Sequence, residues 1–204
     1  MNVTVTSENK GRILIAEVPE TLEELLGLLE NFNDYEAEFY EINALKRKKE
    51  FITVRILMNI LMQQTVIITY DNDHKPLLTN NSELISISHS GNWYALVSSR
   101  HSQPGIDIEQ RTRRVQAVSK RFLSENELIF LDGNKLTEGM EIAWSAKECI
   151  YKRVGKRAYD FHTIQLSPFQ ASECGNLTAT FRPDNTQFSL HYRQNERYTM
   201  VYSI

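Results

Sequence analysis

Gly105-Ile106-Asp107-Ile108-Glu109 is the stretch on which the reading of this chain turns. Branched apolar residues alternate with acids, the period-two pattern of a strand whose positions i and i+2 share a face. Asp107 and Glu109 therefore point one way, and Ile106 and Ile108 the other. Two carboxylates side by side repel unless a cation or a proton sits between them. A hard, oxygen-preferring ion such as Mg²⁺ suits the pair, held by few carboxylates and completed by water and phosphate oxygens. A half-buried strand with two solvated acids would show the same spacing.

The polar break Arg100-His-Ser-Gln-Pro104 precedes this strand and puts a boundary near residue 102, giving segments 1–102 and 103–204. In the first segment the pattern predicts a strand over 12–18, a helix from after Pro19 to about Asn31, and a long helix from Tyr40 to Met62. The basic run Lys46-Arg-Lys-Lys49 lies near the start of that long helix. Leu84–Ser88 and Tyr94–Ser98 read as a β-hairpin around Ser90-Gly91-Asn92. In the second segment a helix is expected near Val115–Phe122, and another begins at Ser124, whose spacing to Glu127 is that of a capping box. Glu138–Val154 reads as a helix stopped by Gly155. Alternating stretches from Thr163 to Ile204 read as strands, with a turn at Arg182-Pro-Asp-Asn185. The fold class is α+β.

With 204 residues the chain can bury a sizeable core. Its formal net charge of −3 at pH 7 excludes a broadly basic surface, so a nucleic-acid partner is not expected. The two cysteines, Cys149 and Cys174, form no close pair, which argues against a zinc knuckle or a disulfide framework. Charged residues interrupt the first twenty positions, and no run approaches the about 18 apolar residues that span a bilayer. A cytoplasmic protein without a membrane partner is expected.

Two further clusters carry chemistry. In Trp144-Ser-Ala-Lys-Glu-Cys-Ile-Tyr-Lys152, the residues Trp144, Glu148 and Lys152 fall at i, i+4 and i+8, one stripe of a helix. A Glu four residues before a Lys is also an ordinary stabilising pair. Joined to Asp107 and Glu109, Glu148 supplies a third carboxylate and Lys152 a cation for a phosphate. Oxygen donors without a cysteine or histidine set favour phosphoryl chemistry on Mg²⁺ over a transition-metal site. Lys75-Pro76 and Ser86-Ile-Ser-His89-Ser90-Gly91 can donate hydrogen bonds to phosphate, although a lone His such as His89 also serves as a turn or core residue. Ser88 and His89 are neighbours on a strand and point to opposite faces, which argues against a nucleophilic Ser-His pair.

In this order, Lys-Pro, Ser-His-Ser, Gly-Ile-Asp-Ile-Glu and Trp-Ser-Ala-Lys-Glu-x-x-x-Lys resemble the motifs of the 4'-phosphopantetheinyl transferase superfamily. The last two are the specific ones, and the resemblance covers roughly residues 45–155. Glu50-Phe-Ile-Thr-Val-Arg55 is a weaker match to the family's basic helix. The length resembles the larger, single-chain class. That implies a monomer of two similar small α+β halves related by pseudo-twofold symmetry, with the active site in the groove between them. The resemblance implies transfer of the 4'-phosphopantetheine group of coenzyme A to a serine of an apo acyl or peptidyl carrier protein, releasing 3',5'-ADP. It implies Asp107, Glu109 and Glu148 as ligands of Mg²⁺ (Mn²⁺ being possible), with Asp107, Glu148 and Lys152 catalytic and Glu148 the base. Lys46, Arg55, Lys75, Ser88, His89 and Lys152 would hold coenzyme A, and the carrier would dock near Arg111, Arg114 and Lys120.

Three positions depart from the family pattern. His74 stands where a glycine usually precedes Lys-Pro, Val54 where a glycine is common before Arg55, and Cys149 in place of a small residue. A metal-dependent nuclease would also need clustered acids and a lysine, but the acidic balance speaks against it. The alternative is a non-catalytic module that binds coenzyme A or a carrier protein.

Overall fold

A computed structural model describes residues 1–204 except 9, 81, 112–114, 132–134 and 156–159. The fold is α+β, with two antiparallel sheets that each carry one long helix. Strands β1 (Asn2–Glu8) and β2 (Gly11–Glu17) form the first hairpin, and β3 (Ile68–Tyr70) and β4 (Pro76–Leu78) a small ribbon of their own. The expected hairpin is present as β5 (Leu84–Ser90) and β6 (Trp93–Ser99), turning at Gly91 with φ 61°. The first sheet runs β1-β2-β6-β5. The second is built from β7 (Gly105–Gln110), β8 (Ile164–Leu166), β9 (Cys174–Phe181), β10 (Thr186–Gln194) and β11 (Tyr198–Ser203), in the order β7-β11-β10-β9-β8.

The helices depart from the sequence expectation where local chemistry interrupts them. Thr21 and Glu24 close a capping box, but the helix it starts, α1 (Leu22–Leu26), stops at Gly27 instead of running to Asn31. A 3₁₀ turn and α2 (Glu36–Glu41) follow. The long helix α3 runs Leu45–Met62, not from Tyr40, because Ile42 and Ala44 are extended. In the second segment α4 covers only Val115–Val118 before a 3₁₀ turn, α5 spans Glu125–Leu131 and α6 spans Leu136–Val154. Gly155, at φ 69°, ends α6 as its position suggested. Among the described residues no helix is long and apolar enough to cross a membrane.

Strand alternation sorts the core into layers. Ile52, Leu57 and Leu61 of α3 pack on Leu14, Ala16, Tyr94 and Leu96 of the first sheet. Ile142, Ala146 and Ile150 of α6 pack on Leu177, Ala179, Leu190 and Val201 of the second. The opposite sheet faces meet each other through Ile13, Ala95 and Val97 on one side and Ile106, Ile108 and Met200 on the other. Each such side chain contributes about 1.5–3 kcal/mol when fully buried. Apolar contact therefore holds the sheets together, and polar bonds along the seam set its register.

Gly105 is where β7 comes closest to α6. A Cβ added there would stand 2.3 Å from the Cys149 carbonyl oxygen and 2.8 Å from Arg153 Cγ. Backbone cannot yield as a side-chain tip can, so Gly105→Ala is expected to destabilise by about 1–3 kcal/mol. Urea unfolding reads this directly, and an unchanged midpoint would contradict the close approach.

Candidate active site

The seam between β5, β7 and α6 gathers the acids singled out in the sequence. Asp107 is buried, and its Oδ1 accepts hydrogen bonds from Ser88 Oγ at 2.9 Å and from Lys152 Nζ at 2.8 Å. Lys152 also donates to the Ile106 carbonyl at 3.0 Å. Glu109 accepts from Ser90 Oγ at 2.8 Å and from the Trp144 indole Nε1 at 3.3 Å. The Trp144, Glu148, Lys152 stripe thus faces the strand: Trp144 touches one acid, Lys152 the other, and Glu148 feels the charge of both.

Burial pushes the Glu148 carboxyl up to about 7, with Asp107 and Glu109 adding to the shift and Lys152 opposing it. Glu109 is raised for the same reasons, burial first and Asp107 second, partly offset by its bonds to Ser90 and Trp144. A carboxyl that binds its proton more tightly folded than unfolded favours the fold below the usual carboxylate range. That contribution is lost as pH rises through about 7. In metal-free protein, the melting temperature of the wild type relative to Glu148→Gln should therefore fall between about pH 5 and about pH 8. A difference that stays flat with pH would contradict the buried, acid-flanked placement.

The donor set suits a hard divalent cation. Asp107 Oδ2 is buried with no hydrogen-bond partner among the described residues, and the charges that reach Glu148 include the carboxylates of Asp107 and Glu109. Among the described residues no three His, Cys, Asp or Glu side chains surround one point, and Lys152 neutralises Asp107 instead. An ion of the Mg²⁺ kind takes few protein carboxylates and fills its shell with water and phosphate oxygens, so an open set of this kind fits it.

Beside the seam lies a groove of about 780 Å³ lined by Arg47, Glu50, Val54, Arg55, Tyr70 and His89, among others. Arg55 is 1 % exposed, its guanidinium lying 3.2 Å from the centroid of the Phe51 ring. It donates to the Phe51 carbonyl and to Glu38, while its buried Nε has no partner among the described residues. His89 stands 3.8 Å from Glu50. Burial, Lys152 and the basic run hold its imidazole below its ordinary pKa, and Glu50 opposes them.

The expected coenzyme A residues are therefore not all brought together. Arg55 and His89 line the groove. Lys46 is solvent-facing, 3.8 Å from Glu50. Lys75 donates to the Arg153 carbonyl at the end of α6, and Ser88 lies under Asp107. Of the basic run, whose register the sequence leaves open by a residue or two, Arg47 lines the groove, and Glu50 and Tyr70, which were not named as site residues, line it too. His74 adopts φ 60°, the left-handed region that a glycine at this position would enter without strain, and Val54 packs into the first core.

Of the expected docking residues, Arg111 is turned inward, donating to Glu141 at 2.7 Å, Glu138 at 3.0 Å and the Asn195 carbonyl at 3.2 Å. Lys120 is exposed, and Arg114 lies outside the described residues. Lys147, inside the Trp144–Lys152 stretch, was not singled out in the sequence. It is 0 % exposed and pairs with Glu127, which is 1 % exposed, at 2.9 Å.

Together these features define an α+β protein with an oxygen-only acid cluster and a lysine at the seam of two sheets, next to a cation-bearing groove. Residues 103–203 match the family model described as the 4'-phosphopantetheinyl transferase superfamily. The match covers the C-terminal part of the chain, from β7 to β11. It is also 29% identical over 124 residues to a protein of Synechocystis sp. that carries the provisional name 4'-phosphopantetheinyl transferase. That alignment covers 53% of this chain and 50% of the relative, so the chain spans about half the length of the curated protein it matches.

Proposed function

We propose that this chain transfers the 4'-phosphopantetheine group of coenzyme A to a serine of an apo acyl or peptidyl carrier protein, releasing 3',5'-ADP. The observation that carries the reading is the convergence of Asp107, Glu109, Glu148 and Lys152 at one seam, beside the groove that holds Arg55 and His89. In this reading residues 1–102 and 103–204 are the two halves of a monomer, and the seam is their joint. Two free cysteines fit a reducing, cytoplasmic setting.

The groove would take the adenosine end of coenzyme A, with Arg55, His89 and the Lys46–Lys49 run offering charge to its 3'-phosphate. Asp107, Glu109 and Glu148 would hold Mg²⁺, which supplies charge to the pyrophosphate when bound. The serine oxygen of the carrier attacks the β-phosphorus as the bond to the 3',5'-ADP oxygen breaks. Glu148 accepts the serine proton, the cation beside it keeping its carboxylate ionised and free to do so. Lys152 is 2.8 Å from Asp107 and can turn its charge to the departing oxygen. Such a transfer depends mainly on positioning and charge stabilisation. Lys120 and Arg121, both exposed, offer an acidic carrier a docking face, whereas Arg111 serves as an internal tie.

One observation bears on a second reading: Lys152 pairs with Asp107, an acid the metal reading assigns to the cation, and a module that binds coenzyme A or a carrier without turnover could keep that pair. Chromatography of the nucleotide products separates the two. Incubation with coenzyme A, Mg²⁺ and an apo carrier should yield 3',5'-ADP, and omitting the carrier or adding EDTA should abolish it. Coenzyme A that binds but stays intact in the complete mixture would favour the binding module.

A further inference from the structure

β5 carries a serine at every second position, Ser86, Ser88 and Ser90, on the face turned toward β7. β5 and β7 are edge strands of different sheets, and an edge strand leaves backbone groups that need partners. Hydroxyls meet that need here: the Ile106 N–H donates to Ser86 Oγ at 3.3 Å and the Ile108 N–H to Ser88 Oγ at 3.2 Å. Residue numbers rise together along the two strands, so the serines climb β7 in step.

The upper two rungs do more than join backbones. A hydroxyl has one proton, and Ser88, by accepting from Ile108, is set to give that proton to Asp107 Oδ1 at 2.9 Å. Ser90 gives its proton to Glu109 Oε2 at 2.8 Å. Ser86 touches neither acid in any bond described. With Oδ1 held, Asp107 is left with Oδ2 buried and without a described partner.

We propose that Ser88 and Ser90 are positioning residues for the divalent-cation site, holding one oxygen of Asp107 and of Glu109 so that the seam and the metal site form together. This rests on the metal reading above. It gives Ser88 a task different from gripping a coenzyme A phosphate, since its hydroxyl is buried and turned to Asp107. Removing a partner that orients a metal ligand typically weakens metal affinity by about 10–100-fold.

The test is a titration of the purified protein with Mn²⁺, the free ion being read by electron paramagnetic resonance, together with metal-free melting of each variant. Ser88→Ala should bind Mn²⁺ about 10–100-fold more weakly, and Ser88→Thr, which keeps the hydroxyl, should recover most of the loss. Ser90→Ala should lose less, because the Trp144 indole still holds Glu109. Ser86→Ala should lower the melting temperature while binding Mn²⁺ as the wild type does. Wild-type affinity in Ser88→Ala and Ser90→Ala would overturn the ladder and leave the metal reading standing. Equal weakening by Ser86→Ala would also overturn it, by tracing the effect to the joint itself. No Mn²⁺ binding by the wild type would overturn the metal reading, and the ladder with it.

Discussion

Lys147→Met is expected to cost about 3–5 kcal/mol of folding stability, a large part of the about 5–15 kcal/mol that a domain commands. Lys147 sits inside α6 with no exposure, and its ammonium donates to Glu127 at 2.9 Å and to the Phe161 carbonyl at 3.2 Å. Glu127 is equally buried, and it also accepts from the Ser124 N–H, the Ser124 hydroxyl and the Leu166 N–H. The capping carboxylate of α5 is thus the counter-ion of α6 and a partner for β8. Methionine fills the volume of the lysine stem but leaves a buried carboxylate without its countercharge, which costs more than losing the whole pair. Urea unfolding with an unchanged slope should show the shift. A loss below about 1 kcal/mol would mean that the pair is solvated and that α6 is not held this way.

The second large effect is on turnover. Glu148→Gln keeps the size of the side chain but removes the proposed proton acceptor and one candidate cation ligand. The rate of transfer should fall by about 10²–10⁴-fold. Coenzyme A affinity should be retained, because the groove residues Arg55 and His89 are untouched. Single-turnover rates alongside equilibrium binding separate the two quantities. A fall of less than about tenfold would place the base elsewhere.

What the sequence disclosed, and what it hid, follows from which signals are local. β7, the β5–β6 hairpin and α6 were legible because alternation, a Gly turn and a Gly stop act within a few residues. β1 was not read, because its apolar face is only Val3 and Val5, and most of the strand is exposed. The Leu- and Glu-rich stretch after Pro19 reads as one helix, but Gly27 ends it after five residues. The Asp107, Glu148 and Lys152 constellation could be assembled from strand and helix periodicity once those two elements were joined. Lys147 could not be placed, because a lysine in a helix reads as solvent-facing until its partner, twenty residues earlier in sequence, is known to be buried. The same holds for Arg111, whose inward ties come from α6 and from the β10–β11 turn. The serine alternation on β5 was visible, but that it faces Asp107 and Glu109 depends on the packing of two sheets, which no local pattern encodes.

The most direct test weighs an apo carrier protein by intact mass spectrometry after incubation with this chain, coenzyme A and Mg²⁺. The expected result is the gain of one phosphopantetheine group at the carrier serine, absent when that serine is replaced by alanine or when the chain carries Asp107→Ala. A carrier of unchanged mass, with the wild-type chain folded and coenzyme A bound in its groove, would contradict the assignment of transfer chemistry to this seam.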